Sequence, residues 1–289
     1  MNRRSFLGQL SAGGSAFALA PQLIAAESRF PLALSQYSLR SMFKDGSLDA
    51  LDFPTFTADT FGIKAIDLWE GGLPKDKLDD MSYFDQLRAR ADEAGVHIFL
   101  HMAGAYDCDP AKSGKSFEGI LASLKRGAHL ECDFVRVFLK APGTDEAAGV
   151  TACAEALKPL VEAAAEHKIT VAIEPGASQL TKQGSFLVKV FEAVESDALT
   201  LMPDFGKLEN NVYAGTEAML PHSRAISCKM HSFDESGNQP DFDYPRLVKM
   251  ISDSDYSGYL AIEWEGKKLE PVPGVKASRA IIERSLRSV

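Results

Sequence analysis

Eight short apolar runs, each followed by a stretch with helical periodicity, recur between residues 32 and 265 with no low-complexity segment or linker dividing them. The runs are LALSQYS (32–38), KAIDLWE (64–70), VHIFLHM (96–102), FVRVFLK (134–140), ITVAIE (169–174), LTLMPD (199–204), ISCKMH (226–231) and YLAIEWE (259–265). Between them lie amphipathic stretches such as YFDQLRARADEAG, FEGILASLKRGAHL, EAAGVTACAEALKPLVEAAAEH and YPRLVKMISDS, and Gly95 stands where a helix C-cap is needed. Parallel strands need a crossover long enough for a helix, so this alternation predicts an α/β chain with a parallel sheet. Eight such units predict closure into a single (β/α)8 barrel, the TIM barrel. An open doubly wound sheet is the alternative, but no glycine-rich phosphate loop follows the first run.

The strand tips carry the chemistry. In TVAIEPG, side chains alternate across the sheet, so Thr170, Ala172 and Glu174 share one face, with Pro175 and Gly176 stopping the strand. Comparable tips end at Asp204, at His231, and at Glu263 or Glu265, spaced by about the length of one strand-plus-helix unit. Uncompensated carboxylates are costly to bury, and a shared cation removes that cost. These tips therefore suggest one divalent metal ion; carboxylate and imidazole donors without thiolate suit Mn, Co, Mg or Zn.

The same period of two turns Tyr37, Asp67, Trp69, His101, Arg136 and Lys229 toward the barrel interior, all near C-terminal strand ends. Asp67 with Arg136 reads either as a buried ion pair or as a contact for substrate or metal-bound water. His101 reads as a hydrogen bonder lining the pocket, and Tyr37 and Trp69 offer aromatic surfaces suited to the apolar faces of sugar rings.

Residues 1–26 read as a twin-arginine signal peptide: Arg3 and Arg4 precede Ser5, Phe6 and Leu7, and a Gly- and Ala-rich run leads to the small residues Ala25 and Ala26. Gly8, Gln9, Gly13 and Gly14 break that run, which falls short of the roughly 20 apolar residues of a membrane span. The expected partner is the Tat export machinery, the expected location the periplasm or beyond, and no stable membrane insertion is expected. Residues 27–289 then form one domain, close to the roughly 250 residues typical of an eightfold barrel. Net charge is −9 and becomes more negative without Arg3 and Arg4, which argues against nucleic acid as a partner. Cys108, Cys132, Cys153 and Cys228 show no paired short spacing of a zinc knuckle or disulfide scaffold.

At these positions the chain resembles the xylose isomerase-like barrel superfamily, the sugar phosphate isomerase/epimerase group. The resemblance runs from ALSQYSLR through IDLWEGG, VRVF, VAIEPG, PDFGK and KMHSFD to IEWEG. It implies a metal held by Glu174, Asp204, His231 and Glu263, with Glu265 sharing the parity of Glu263. The chain also departs from the family pattern. Lys207 stands where family members often carry a histidine three residues after the aspartate, and Lys229 stands at the second histidine position. Pro175 follows the fifth-strand glutamate, and Leu180 falls where ketose epimerases place a second acidic group.

What the resemblance implies is an exported, metal-dependent sugar isomerase or epimerase acting on a carbohydrate or polyol through an enediolate, with Glu174, Glu263, Lys207 and Lys229 as candidate catalytic groups. Tyr37, Asp67, Trp69, His101, Arg136 and Glu265 are the candidate substrate contacts. Alternatives are a metal-dependent lyase or hydratase on keto-glycosides, and a carbohydrate-binding barrel without catalysis.

Overall fold

The computed structural model of the chain describes residues 29–209 and 212–289, so the signal-peptide segment lies outside the described residues. Its eight strands are β1 (Leu32–Ser35), β2 (Ala65–Trp69), β3 (His97–Asp107), β4 (Phe134–Lys140), β5 (Thr170–Glu174), β6 (Leu199–Leu201), β7 (Ala225–Met230) and β8 (Tyr259–Trp264). The helices are α1 (Arg40–Asp45), α2 (Phe53–Phe61), α3 (Met81–Ala94), α4 (Ser113–His129), α5 (Glu146–Glu166), α6 (Gly184–Val194), α7 (Val212–Met219), α8 (Tyr244–Asp253) and α9 (Pro271–Leu286). Asp80, Asp145 and Asp243 cap α3, α5 and α8 by accepting from backbone N–H groups of the first turn, which fixes where each helix leaves its loop.

All strand pairings are parallel, in the order β6-β5-β4-β3-β2-β1-β8-β7. The remaining seam, between β6 and β7, closes through isolated parallel bridges, Leu201 with Ser223 and Asp204 with Ser227. Ser227 N donates to Pro203 O at 2.8 Å across that seam. The ring is thus complete, and its last stitch is made at a candidate site residue.

Two apolar layers follow from strand alternation. Ile66, Leu68, Val135, Val137, Val171, Ile173, Ile226, Met230, Leu260 and Ile262 face the helices, in one continuous core with them. Inside the barrel, Ala33, Ala65, Ala172, Ala225 and Ala261 are packed with Phe99, Leu100, Met102, Phe134 and Met202. Small residues from five strands leave room for a few large ones, which plug the barrel below the mouth. The inward residues two positions further along β2, β4, β5, β7 and β8 are Asp67, Arg136, Glu174, Ser227 and Glu263, so the polar layer rests directly on this plug.

In four strands the difference from the sequence-read span bears on the site. β1 ends at Ser35, and a short 3-10 turn, Gln36–Leu39, carries Tyr37 over the mouth. β3 runs on to Asp107, with its pairing shifted between Ile66 and Asp67 on one side and between Met102 and Ala105 on the other. β6 stops at Leu201 and β7 at Met230, leaving Asp204 and His231 on the segments beyond.

Candidate active site

Glu174 is the last residue of β5, Glu263 lies one residue before the end of β8, and Asp204 stands in the turn after β6. One carboxylate oxygen of each lies within 4.8 Å of the others, and all three residues are buried. Local bonds hold them there. Gly206 N donates to Asp204 Oδ1 at 2.8 Å, and the Ser227 hydroxyl donates to Glu263 Oε2 at 2.7 Å. This buried acidic triad could bind a metal.

Three cations reach into the same cluster. Arg136 Nε lies 2.7 Å from Glu174 Oε2, while its Nη1 donates to Ala103 O at 2.8 Å. Lys207 Nζ lies 3.2 Å from Glu174 Oε1. Lys229 Nζ, on a side chain 2% exposed, lies 2.9 Å from Glu263 Oε1 and 3.2 Å from Asp204 Oδ2, and also bonds Glu265. The Phe138 ring floors the arrangement, with the Arg136 guanidinium 4.0 Å and the Lys207 ammonium 3.9 Å from its centroid.

With Asp67 and Glu265 the cluster holds five carboxyl groups against three cations, an excess of two negative charges. The excess shows in two acids. Burial, together with the Glu263 charge, pushes Asp67 well up, and burial likewise pushes Asp204 well up against the pull of Lys229. Glu174 and Glu263 stay in the anionic range: burial opposes their charge, but Arg136 and Lys207 outweigh it at Glu174, and Lys229 outweighs it at Glu263, held at about 2. Among the described residues, no hydrogen bond of good geometry reaches the buried Asp67 Oδ2 or Asp204 Oδ2, the latter having only the Lys229 ammonium at 3.2 Å. Two protons or one divalent cation would balance such a cluster, and an all-carboxylate donor set suits a hard, oxygen-seeking ion. The residues present therefore fit a divalent ion.

A cleft of about 490 Å³ opens above the triad, lined among others by Tyr37, Trp69, Arg136, Lys207, Glu263 and Glu265. Tyr37 and Trp69 meet edge to face, ring centroids 4.8 Å apart and planes at 86°. Gln36 braces them, its Oε1 accepting from Trp69 N at 2.7 Å, and the T-shaped pair presents a fixed aromatic wall.

Of the sequence-read residues, Tyr37, Asp67, Trp69, Arg136, Glu174, Asp204, Lys207, Lys229, Glu263 and Glu265 converge here. Glu263 belongs to the triad, and Glu265, 25% exposed at its side chain, pairs with Lys229 at the cleft wall. His231 does not join the triad. It follows the end of β7, where strand alternation no longer governs its direction, and lines a separate cleft with Phe205, Leu208 and Tyr213. His101 is not at the mouth either. The shifted pairing of β3 turns Leu100 and Met102 inward, so His101 points outward to α4, where its Nε2 lies 3.2 Å from Glu70 Oε1. Nor do Asp67 and Arg136 form an ion pair: Arg136 takes Glu174, and Asp67, fully buried, accepts from Gln36 N at 3.0 Å.

Two residues of the site escaped the sequence reading. Phe138 continues the inward parity of Phe134 and Arg136 along FVRVFLK, a signal that was available. Glu70, at the end of KAIDLWE, lines the cleft while its Oε1 accepts from Ser123 and Arg126, each at 2.6 Å. These two partners lie on α4, more than fifty positions away, and no local pattern announces them.

The model of the family described as "Xylose isomerase-like TIM barrel" matches residues 57–287. Among solved structures, the D-allulose 3-epimerase of Methylomonas sp. superposes with a TM-score of 0.71 at 14% identity, covering 89% of this chain and 98% of that one. The 3-keto-D-glucoside 4-epimerase of E. coli gives 0.65 at 13% identity over 83% and 95%. At such identities the likeness is one of fold. A 74-residue stretch is 31% identical to the C-glycoside deglycosidase alpha subunit of Arthrobacter globiformis, covering 24% of this chain and 21% of that subunit. The family match spans most of the described barrel, including every strand that bears the acidic triad, and the chain belongs to the xylose isomerase-like TIM barrel family.

Proposed function

We propose that this protein is an exported, divalent-metal-dependent enzyme of the sugar isomerase/epimerase type, acting next to the carbonyl of a carbohydrate or polyol. The observation that carries the reading is the convergence of Glu174, Asp204 and Glu263, with their cations, beneath a cleft walled by Tyr37 and Trp69. A divalent ion held by the three carboxylates would supply Lewis acidity toward a carbonyl oxygen and a neighbouring hydroxyl. Mn2+ or Mg2+ matches this donor set better than Zn2+, given that His231 stands apart from it.

The remaining chemistry belongs to side chains. The aromatic wall receives the apolar face of a sugar ring and fixes which carbon points down. Arg136, anchored on Glu174 and Ala103 O, keeps the floor of the cleft rigid. Lys207 is 32% exposed at its side chain, and its ammonium is free to donate to a negative charge growing on a substrate oxygen, stabilising the enediolate. The proton that leaves carbon would pass to Glu265, whose carboxylate is partly open to the cleft, and the Lys207 ammonium can deliver one to the adjacent carbon.

A second reading, elimination of a β-substituent from a keto-glycoside, uses the same first step. It is favoured by the local similarity to a C-glycoside deglycosidase subunit and by the fold shared with a 3-keto-D-glucoside epimerase. Incubation with a panel of keto-sugars and keto-glycosides in D2O, followed by mass spectrometry, tests both. Deuterium in a product of unchanged mass formula marks isomerisation or epimerisation, and release of the aglycone marks elimination. Absence of both across the panel would leave a carbohydrate-binding barrel. Export rests on Arg3 and Arg4 alone: replacing both with Lys should retain the protein in the cytoplasm, and unchanged delivery would refute the twin-arginine route.

A further inference from the structure

The Lys229 ammonium occupies the position from which a cation addresses Asp204 and Glu263. Its Nζ lies 3.2 Å from Asp204 Oδ2 and 2.9 Å from Glu263 Oε1, two members of the triad, while its third carboxylate partner, Glu265, is outside the triad. A divalent ion held by the triad would share Asp204 and Glu263 with the Lys229 ammonium, and the two like charges would repel across those carboxylates. The stem of Lys229 already reaches Glu265 from where it lies. It passes over Gly206, where a Cβ would come within 2.6 Å of Lys229 Cδ, so only the absence of a side chain at 206 accommodates it.

We infer that Lys229 is a built-in competitor of the metal ion: it neutralises Asp204 and Glu263 in the unloaded protein and withdraws onto Glu265 when the ion binds. The inference rests on the metal-dependent reading above. It makes Glu265 a positioning residue for the ammonium rather than a metal ligand. It also explains why a carboxylate partly open to the cleft stands beside three buried ones. An ion bound against such a competitor is held less tightly than the bare triad would hold it, and loading depends on the concentration of free ion.

Titration calorimetry with Mn2+ alone, on the full folded domain, tests the exchange. Lys229→Met should bind Mn2+ about tenfold or more tightly than wild type, within the range by which groups behind a metal's ligands tune affinity. Glu265→Gln should bind it several-fold more weakly, because the displaced ammonium loses its acceptor. Glu265 is at the cleft wall and its variant should fold, so it decides the matter if Lys229→Met, with two buried carboxylates uncovered, does not. Equal affinity of Glu265→Gln and wild type, or equal or weaker binding by folded Lys229→Met, would overturn the competition and leave the metal reading standing. No Mn2+ uptake by wild type or either variant would overturn both.

Discussion

Lys207 Nζ stands 3.2 Å from Glu174 Oε1 and 3.9 Å from the centroid of the Phe138 ring, so the ammonium is held between a carboxylate and an aromatic face at the edge of the cleft. Both contacts orient it while leaving a third of the side chain open to a ligand. Lys207→Met keeps the stem packed and removes the proton donor. Turnover should fall by about 10²-fold or more, with thermal stability and bound metal close to wild type. Steady-state kinetics beside calorimetry checks this, and near-normal turnover would shift proton transfer to Lys229 or Glu265.

Arg136 and Glu174 form a buried pair in the site, 7% and 2% exposed at their side chains and 2.7 Å apart. Removing one partner of such a pair strands the other. Arg136→Met should therefore cost about 3–5 kcal/mol in urea unfolding. Adding Glu174→Gln to it should restore part of that loss, so the double variant should be more stable than the sum of the single effects.

The eightfold strand-helix alternation and the gathering of ten of the twelve candidate residues at one mouth were legible in the sequence because alternation and unit length are local signals. They hold wherever the ladder is regular, as in β4, β5 and β8, and they place Arg136, Glu174 and Glu263. His101 was misplaced because an irregular pairing in β3 reverses parity, and a one-residue shift moves every later side chain to the other face. His231 failed for a related reason: β7 ends one residue earlier, and beyond a strand's end the period carries no information. Arg136 pairs with Glu174 instead of Asp67 because β5 lies directly beside β4, while β3 separates β4 from β2.

Gly176 has φ of +144°, and a Cβ there would lie 3.2 Å from Phe138. The strand stop after Glu174 thus needs glycine twice over, for its backbone angle and for the ring beneath it. Gly176→Ala should destabilise the protein by about 1–3 kcal/mol. It should also impair turnover beyond that loss, because Phe138 carries both Arg136 and Lys207. Full activity at a temperature where the variant is folded would show that the ring tolerates displacement.

At the opposite, N-terminal end of the barrel, His97 Nε2 lies 2.9 Å from Asp133 Oδ2, and the Tyr259 hydroxyl donates to the same oxygen at 3.2 Å. The bond to Asp133 raises the His97 imidazolium above its ordinary range, against a smaller opposing effect of burial. A group raised on folding stabilises the native state while it is charged in both states, below the unfolded value of about 6.5. That contribution is lost as pH rises through the higher folded value. Because the pair is nearly half exposed, the effect should stay below about 1 kcal/mol. Stability measured between pH 6 and 8 should therefore decline slightly more steeply in wild type than in Asp133→Asn, and the His97 ring titration followed by NMR should move down in that variant. An unchanged midpoint would mean that solvent, and not Asp133, sets the charge of His97.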